Sequence, residues 1–242
     1  MPVAEPPLYD LATAAKNGGA KTMIEAVFSR LREDILSGRH QPGERLRVEQ
    51  LRKEFGVGAS TIREALSRLM SESLVTTEGQ RGFRVSAVSL QDFRDIAEMR
   101  KILETIALRS SIEHGDDDWE AGIVAAYHRL SKVEERLADK PDDVASEWGD
   151  LNQAFHDALI SACGNRWLLN FRKILHDQSN RYLRLSLVDT TAPRNVHAEH
   201  EAIFKAVMAR KPDEASELVG THIDRTVGVI AKQFEGRPEA AE

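Results

Sequence analysis

Three histidines fall on separate stretches of helical pattern in apolar company. His156 lies in Asn152-Gln153-Ala154-Phe155-His156, His200 in His197-Ala198-Glu199-His200, and His222 in Gly220-Thr221-His222-Ile223. Asn152 precedes His156 by four residues, which puts both side chains on one helix face. Three imidazoles and one oxygen donor would enclose a divalent cation inside a helical bundle. Taken one at a time, each histidine reads first as a hydrogen-bonded core or surface residue. The site exists only if the fold brings the three together. The single cysteine, Cys163, excludes an internal disulfide and a thiolate zinc cluster, so any metal must rely on these nitrogen and oxygen donors.

A second set of residues could read nucleic acid. Ile62, Ala65, Leu66, Leu69 and Met70 form the apolar stripe of a short helix, leaving Thr61, Arg63 and Glu64 on its other faces. Ser60 or Thr61 is placed to cap its first turn. Upstream, Ile24, Val27, Phe28, Leu31 and Ile35 mark one helix, and Val48, Leu51 and Phe55 another. Gln41-Pro42-Gly43 and Gly56-Val57-Gly58 make the connections. Downstream, Leu74–Thr77 and Phe83–Ser86 read as two strands around a Gly-rich turn that carries Arg81 at its tip. Helix, turn, helix and hairpin outline a winged helix-turn-helix. In it the third helix enters the major groove with Ser60, Thr61 and Arg63 toward base edges. Arg63 would contact guanine in bidentate fashion. Arg45, Arg47, Arg52 and Lys53 would contact phosphate, although any of these cations reads equally as a solvated surface charge.

The charge distribution agrees with a DNA-reading head. The chain has 242 residues and a formal net charge of -6. Residues 1–88 hold 13 Lys and Arg against 11 Asp and Glu, net +2, whereas residues 89–242 hold 20 against 28, net -8. An acidic protein can bind DNA only through a local patch. Hydrophobic residues make up 41% of the chain, enough for a core and too much for a disordered polymer. No apolar run reaches the length of a membrane span, and the N-terminus has no signal-peptide centre, which predicts a cytoplasmic protein. The predicted organisation is a mobile arm over 1–20, a winged domain over 21–86, a linker at 87–89, an all-helical domain over 90–236 and a tail over 237–242. Helices are expected over roughly 90–114, 117–139, 142–163, 166–189, 194–210 and 212–234. The fold class is therefore mainly α.

The run GVGASTIREALSRLMSESLVTTEGQRGFRV resembles the signature of the GntR family of bacterial regulators. Gly58 and Ala59 stand where that family commonly has Ser and a DNA-contacting Arg, and Thr61 stands where Pro is common. The C-terminal half resembles the FCD ligand-binding domain of the FadR-type branch, in EMRKILETIALRSS, NQAFHDALISACGNRWLL, EHEAIFKAV and the final THI. The resemblance implies a metal held at the positions of Asn152, His156, His200 and His222, with Asn152 replacing the usual Asp. Zinc, nickel and manganese are all compatible. It implies a small carboxylate effector beside the metal, and, from likeness to a glutarate-responsive member, a dicarboxylate such as glutarate. Arg100 stands at the position of the family's inward arginine and is the expected carboxylate clamp. The alternative for Arg100 is an intrahelical pair with Glu104 or Asp95. Tyr182 and Arg181 are further candidates for the pocket lining, with bundle surface as the equal alternative.

The function expected is a ligand-responsive, homodimeric repressor that reads a palindromic operator. A metal-dependent hydrolase acting on a small carboxylate derivative is the competing reading. It lacks a recognisable motif, since His197-Ala198-Glu199-His200 is not HExxH, and it leaves the winged domain unexplained.

Overall fold

The computed structural model describes residues 22–77, 82–137, 141–186 and 194–235. The expected arm over 1–20, Arg81 and the tail over 237–242 lie outside the described residues. The chain divides into two compact units, one of Met1–Ser89 with Asp177–Leu187, the other of Leu90–His176 with Val188–Glu242.

The first unit begins with α1 (Met23–Leu36), whose Thr22 side chain accepts from the Glu25 N–H at 3.2 Å. The Thr-x-x-Glu spacing at this start is that of a capping box. Its buried face carries Val27, Leu31 and Ile35. The turn at Gln41-Pro42-Gly43 closes with a Glu44 N–H to Gln41 C=O bond of 3.0 Å, and Gly43 takes φ 77°, a backbone state glycine adopts without strain. Then follow β1 (Arg45–Leu46), α2 (Val48–Phe55) and α3 (Ala59–Ser71). Gly56 ends α2 in the left-handed region at φ 65°, which turns the chain toward α3. Ile62, Ala65, Leu66 and Leu69 of α3 are buried against Val27, Leu31, Leu51 and Phe55 in one core.

The wing contains the expected hairpin and one strand more. β2 (Val75–Thr77) and β3 (Phe83–Val85) pair antiparallel, and β1 adds to the other side of β3, giving a three-stranded sheet in the order β1-β3-β2. Arg45 is opposite Arg84 and Leu46 opposite Phe83. A two-residue strand has no alternation of its own to read; the partner strand defines it. The expected Ser60 or Thr61 cap is also corrected. Gly58 occupies the N-cap of α3 and no side chain caps the helix.

The second unit is an all-helical bundle of α4 (Leu90–His114), α5 (Asp117–Leu137), α6 (Pro141–Leu159), the first part of α7 (Arg166–Ser186), α8 (Val196–Met208) and α9 (Pro212–Glu235). The helix expected to run to residue 163 stops at Leu159, and a separate 3-10 turn spans Ser161–Cys163. Asn165 caps α7, its side chain accepting from the Trp167 and Leu168 N–H groups at 3.1 Å each. α5 packs on α6 and α8, and α4 packs on α9. Leu108, Ile123, Leu130, Phe155, Leu159, Ile203, Val207, Val219 and Ile223 share the core. Trp119 sits against Gly115 so closely that a Cβ there would lie 2.2 Å from its ring, and its indole donates to Ala158 C=O at 3.1 Å. Among the described residues, no helix is long and apolar enough to cross a membrane.

Candidate functional site

α6, α8 and α9 bring the three histidines to one point. His156, His200 and His222 offer nitrogen atoms that all lie within 4.8 Å of one another. Their rings are 5.4, 5.1 and 4.8 Å apart by centroid, and their exposures are 4%, 0% and 9%. Phe155 closes the apolar side, its ring 5.5 Å from both His156 and His200.

Two of the imidazoles are oriented from behind by carboxylates. His200 Nδ1 is 2.6 Å from Glu134 Oε1, and the other Glu134 oxygen meets His197 Nδ1 at 3.0 Å. His222 Nδ1 is 2.9 Å from Glu199 Oε2, while Arg194 grips both oxygens of Glu199 at 3.0 and 2.6 Å. A carboxylate on Nδ1 fixes the tautomer and leaves Nε2 with its lone pair, the usual arrangement behind a metal-binding histidine.

Polar atoms left without partners test whether a cation fits. His200 Nε2 and Asn152 Oδ1 are both buried and unpartnered. A buried acceptor with no donor is costly, and a cation among the imidazoles would satisfy His200 Nε2, with Asn152 one turn before His156 on α6. Burial pushes the His156 imidazole well below its ordinary value, and its histidine neighbours add to this. Burial also lowers His222 to about 4, against the opposing hydrogen bond that its Nδ1–H donates to Glu199. Both rings are therefore neutral at neutral pH, the state in which imidazole ligates. Burial would raise Glu134 and Glu199, yet their hydrogen bonds to His200 and to His222 and Arg194 hold both below the usual carboxylate range. The residues present fit a divalent cation of the kind that takes nitrogen and oxygen donors. A groove of about 730 Å³ between α8 and α9, lined in part by Arg194, Glu199, His222 and Arg225, reaches the solvent side of this cluster.

Arg100 is buried and bound within its own helix. Its guanidinium meets Glu104 Oε1 at 2.9 Å from Nε and 2.8 Å from Nη2. This is the intrahelical pair that stood as the alternative to a carboxylate clamp. Tyr182 is fully buried and belongs to the other unit, where its hydroxyl accepts from the Ser89 N–H at 3.3 Å. Arg181 lies in that unit too, donating to Ser86 C=O at 2.6 Å.

Arg172 of α7 was not expected. It is 2% exposed, its Nε lies 3.6 Å from Glu104, and its Nη1 pairs with Asp157, the residue after His156. Its Nε and Nη2 have no hydrogen-bond partner. The spacing Leu168-Arg172-His176, every fourth residue on an otherwise inward face, was the available signal.

In the first unit, α3 presents Ser60 and Arg63 exposed and Thr61 half-buried, as Arg47 is exposed at the start of α2. Arg63 makes no hydrogen bond or ion pair with a described residue. Arg52 is held by Glu49 at 2.8 Å.

A winged helix-turn-helix with an open recognition helix, joined in one chain to a helical body that buries a donor cluster, defines the class of DNA-binding transcriptional regulators. Residues 23–85 match the GntR family of bacterial regulatory proteins and residues 95–225 match the FCD domain. The chain belongs to the GntR family, in the branch that carries an FCD domain. It is 44% identical to the HTH-type transcriptional regulator BphR of Paraburkholderia xenovorans, over 88% of this chain and 87% of that one. It is 36% identical to the HTH-type transcriptional repressor GlaR of Escherichia coli, over 85% and 94%. Among solved structures, McbR/YncC of E. coli superposes with a TM-score of 0.71 at 18% identity, over 88% of this chain and 99% of that one, a likeness of fold. These relatives are regulators rather than enzymes, which sets the hydrolase reading aside.

Proposed function

We propose that the chain is a homodimeric cytoplasmic repressor that senses a small carboxylate, a dicarboxylate such as glutarate, at a divalent cation held by Asn152, His156, His200 and His222. The observation that carries this is the convergence of three buried imidazoles, with unpartnered His200 Nε2 and Asn152 Oδ1, in a chain whose DNA-reading helix is open. The sign of regulation is supported by the relative that is a repressor. A second copy is supported by an exposed stripe on α4, where Met99, Ile102 and Ile106 are 46%, 48% and 52% exposed. Asp95 and Arg109 bracket that stripe, so antiparallel pairing of two such helices would set opposite charges together.

The α3 residues Ser60, Thr61 and Arg63 would reach base edges, with Arg47, and Arg81 outside the described residues, on the backbone. An anisotropy titration on a duplex selected from random-sequence DNA tests the reading. Two chains should bind per duplex. Arg63→Ala should lose about 1–3 kcal/mol of specific binding, the scale of a base contact. Zinc with glutarate should release the wild type but not His156→Ala. An unchanged isotherm for Arg63→Ala removes that contact, and no release by any small dicarboxylate removes the sensing role.

A further inference from the structure

We infer that Arg194 is a positioning residue of the histidine cluster: it fixes Glu199 against α9 and so holds His222 in the tautomer that leaves Nε2 free to ligate. This role, which rests on the cation site proposed above, falls to a residue outside the donor set, one position before the N-cap of α8.

The guanidinium of Arg194 uses all three of its nitrogens. Nε donates to Glu199 Oε1 at 3.0 Å and Nη1 to Thr226 Oγ1 at 2.9 Å. Nη2 donates both to Glu199 Oε2 at 2.6 Å and to His222 C=O at 3.0 Å. Thr226 Oγ1 donates to that same carbonyl at 3.0 Å. One plane of donors therefore ties the first turn of α8 to the turn of α9 that carries His222. A guanidinium can do this because its N–H groups are set in a rigid fork, whereas a lysine ammonium places its donors around one point. The helix start does not depend on this fork, since Asn195 caps α8, its side chain accepting from the Ala198 N–H at 2.9 Å.

Two neighbours of His222 Nδ1 ask opposite things of it. Glu199 Oε2, at 2.9 Å, needs a hydrogen on Nδ1, and Arg194 Nη2, at 3.3 Å, needs a lone pair there. The hydrogens on Nη2 decide between them. It has two, and they are directed at Glu199 Oε2 and at His222 C=O, so none remains for the ring. Nδ1 therefore carries the hydrogen and donates it to Glu199, and Nε2 keeps the lone pair that a cation requires. Without the fork, Glu199 would be tied to Arg225, which is 57% exposed and meets Oε1 at 3.1 Å, the oxygen that does not hold His222. The aim of Oε2 at the ring thus depends on Arg194.

Zinc titration of the metal-stripped full chain against a chromophoric chelator, paired with long-range proton–nitrogen spectra of the imidazoles at pH 7, tests this. Arg194→Lys keeps the positive charge and loses the fork, so it should weaken zinc binding by about tenfold or more, the scale of a lost outer partner. Arg225→Ala should stay within about threefold of the wild type. In metal-free protein, His222 should show hydrogen on Nδ1 in the wild type and a mixture of tautomers in Arg194→Lys. Thr226→Val removes one acceptor of the fork and should fall between the wild type and Arg194→Lys; it carries the test if Arg194→Lys does not fold, and unchanged zinc affinity there then overturns the role. Zinc affinity of folded Arg194→Lys within about twofold of the wild type overturns it directly and leaves the cation site standing. An equal loss in Arg225→Ala overturns the fork in favour of charge alone. Weakened zinc with an unchanged His222 tautomer overturns ring orientation as the cause. Absence of zinc binding by the wild type overturns the cation site and the inference with it.

Discussion

Glu104→Ala is expected to lower the unfolding free energy by about 3–5 kcal/mol, the cost of stranding buried charge. Glu104 is 3% exposed and receives Arg100 at 2.8 and 2.9 Å and Arg172 at 3.6 Å. Burial acts to raise this carboxyl, and the two guanidiniums overcome that and hold it below the usual range. Removing it takes a shared buried carboxylate from both Arg100 and Arg172, while Arg172 keeps a second one in Asp157. Glu104→Gln keeps the shape and one acceptor oxygen and should fall between the wild type and alanine. Denaturant unfolding at pH 7 followed by circular dichroism measures both. A loss under about 1 kcal/mol for alanine would show that the network is not a structural tie.

Metal-free protein should lose stability steeply as pH falls from about 6.5 toward 4. Burial lowers His156 and His176 well below 6.5, and lowers His222 to about 4. For a histidine depressed in this way, the unfolded chain takes up a proton below 6.5 while the folded chain does not. Stability is therefore level above 6.5 and falls as pH drops through the interval down to the folded value. His222 alone accounts for about 3 kcal/mol across that interval. His176 and His156 act in the same direction. Chemical denaturation at pH 7.5, 6.0 and 5.0 reads this out as a falling midpoint. An equal midpoint at pH 7.5 and 5.0 would be incompatible with neutral buried histidines.

Much of this molecule is legible in its sequence because its elements are periodic. The Ile62-Ala65-Leu66-Leu69 stripe sets both the buried face of α3 and, by elimination, the exposure of Arg63. The three histidines are legible as a candidate donor set only jointly, and their convergence needs α6, α8 and α9 to meet. Other features depend on tertiary contact that local pattern does not encode. β1 is two residues long and exists because β3 pairs with it. Glu134 orients His200 from 66 positions away in the chain. The Leu168-Arg172-His176 spacing puts Arg172 on an inward face, but its partners Glu104 and Asp157 come from other helices and are not in that pattern. Arg100, which the resemblance puts at an inward position, is buried, and a carboxylate it meets there is that of Glu104 on its own helix, a choice of partner that spacing alone leaves open.

The hydrogen bond behind His200 has an optical consequence. The indole of Trp148 lies 3.4 Å from Glu134 Oε1, the oxygen that also holds His200. Of the other two tryptophans, Trp119 donates to Ala158 C=O in the core and Trp167 is 60% exposed. A cation entering the histidine cluster would change the field at the Trp148 chromophore, which would then report occupancy by its own fluorescence without an added label.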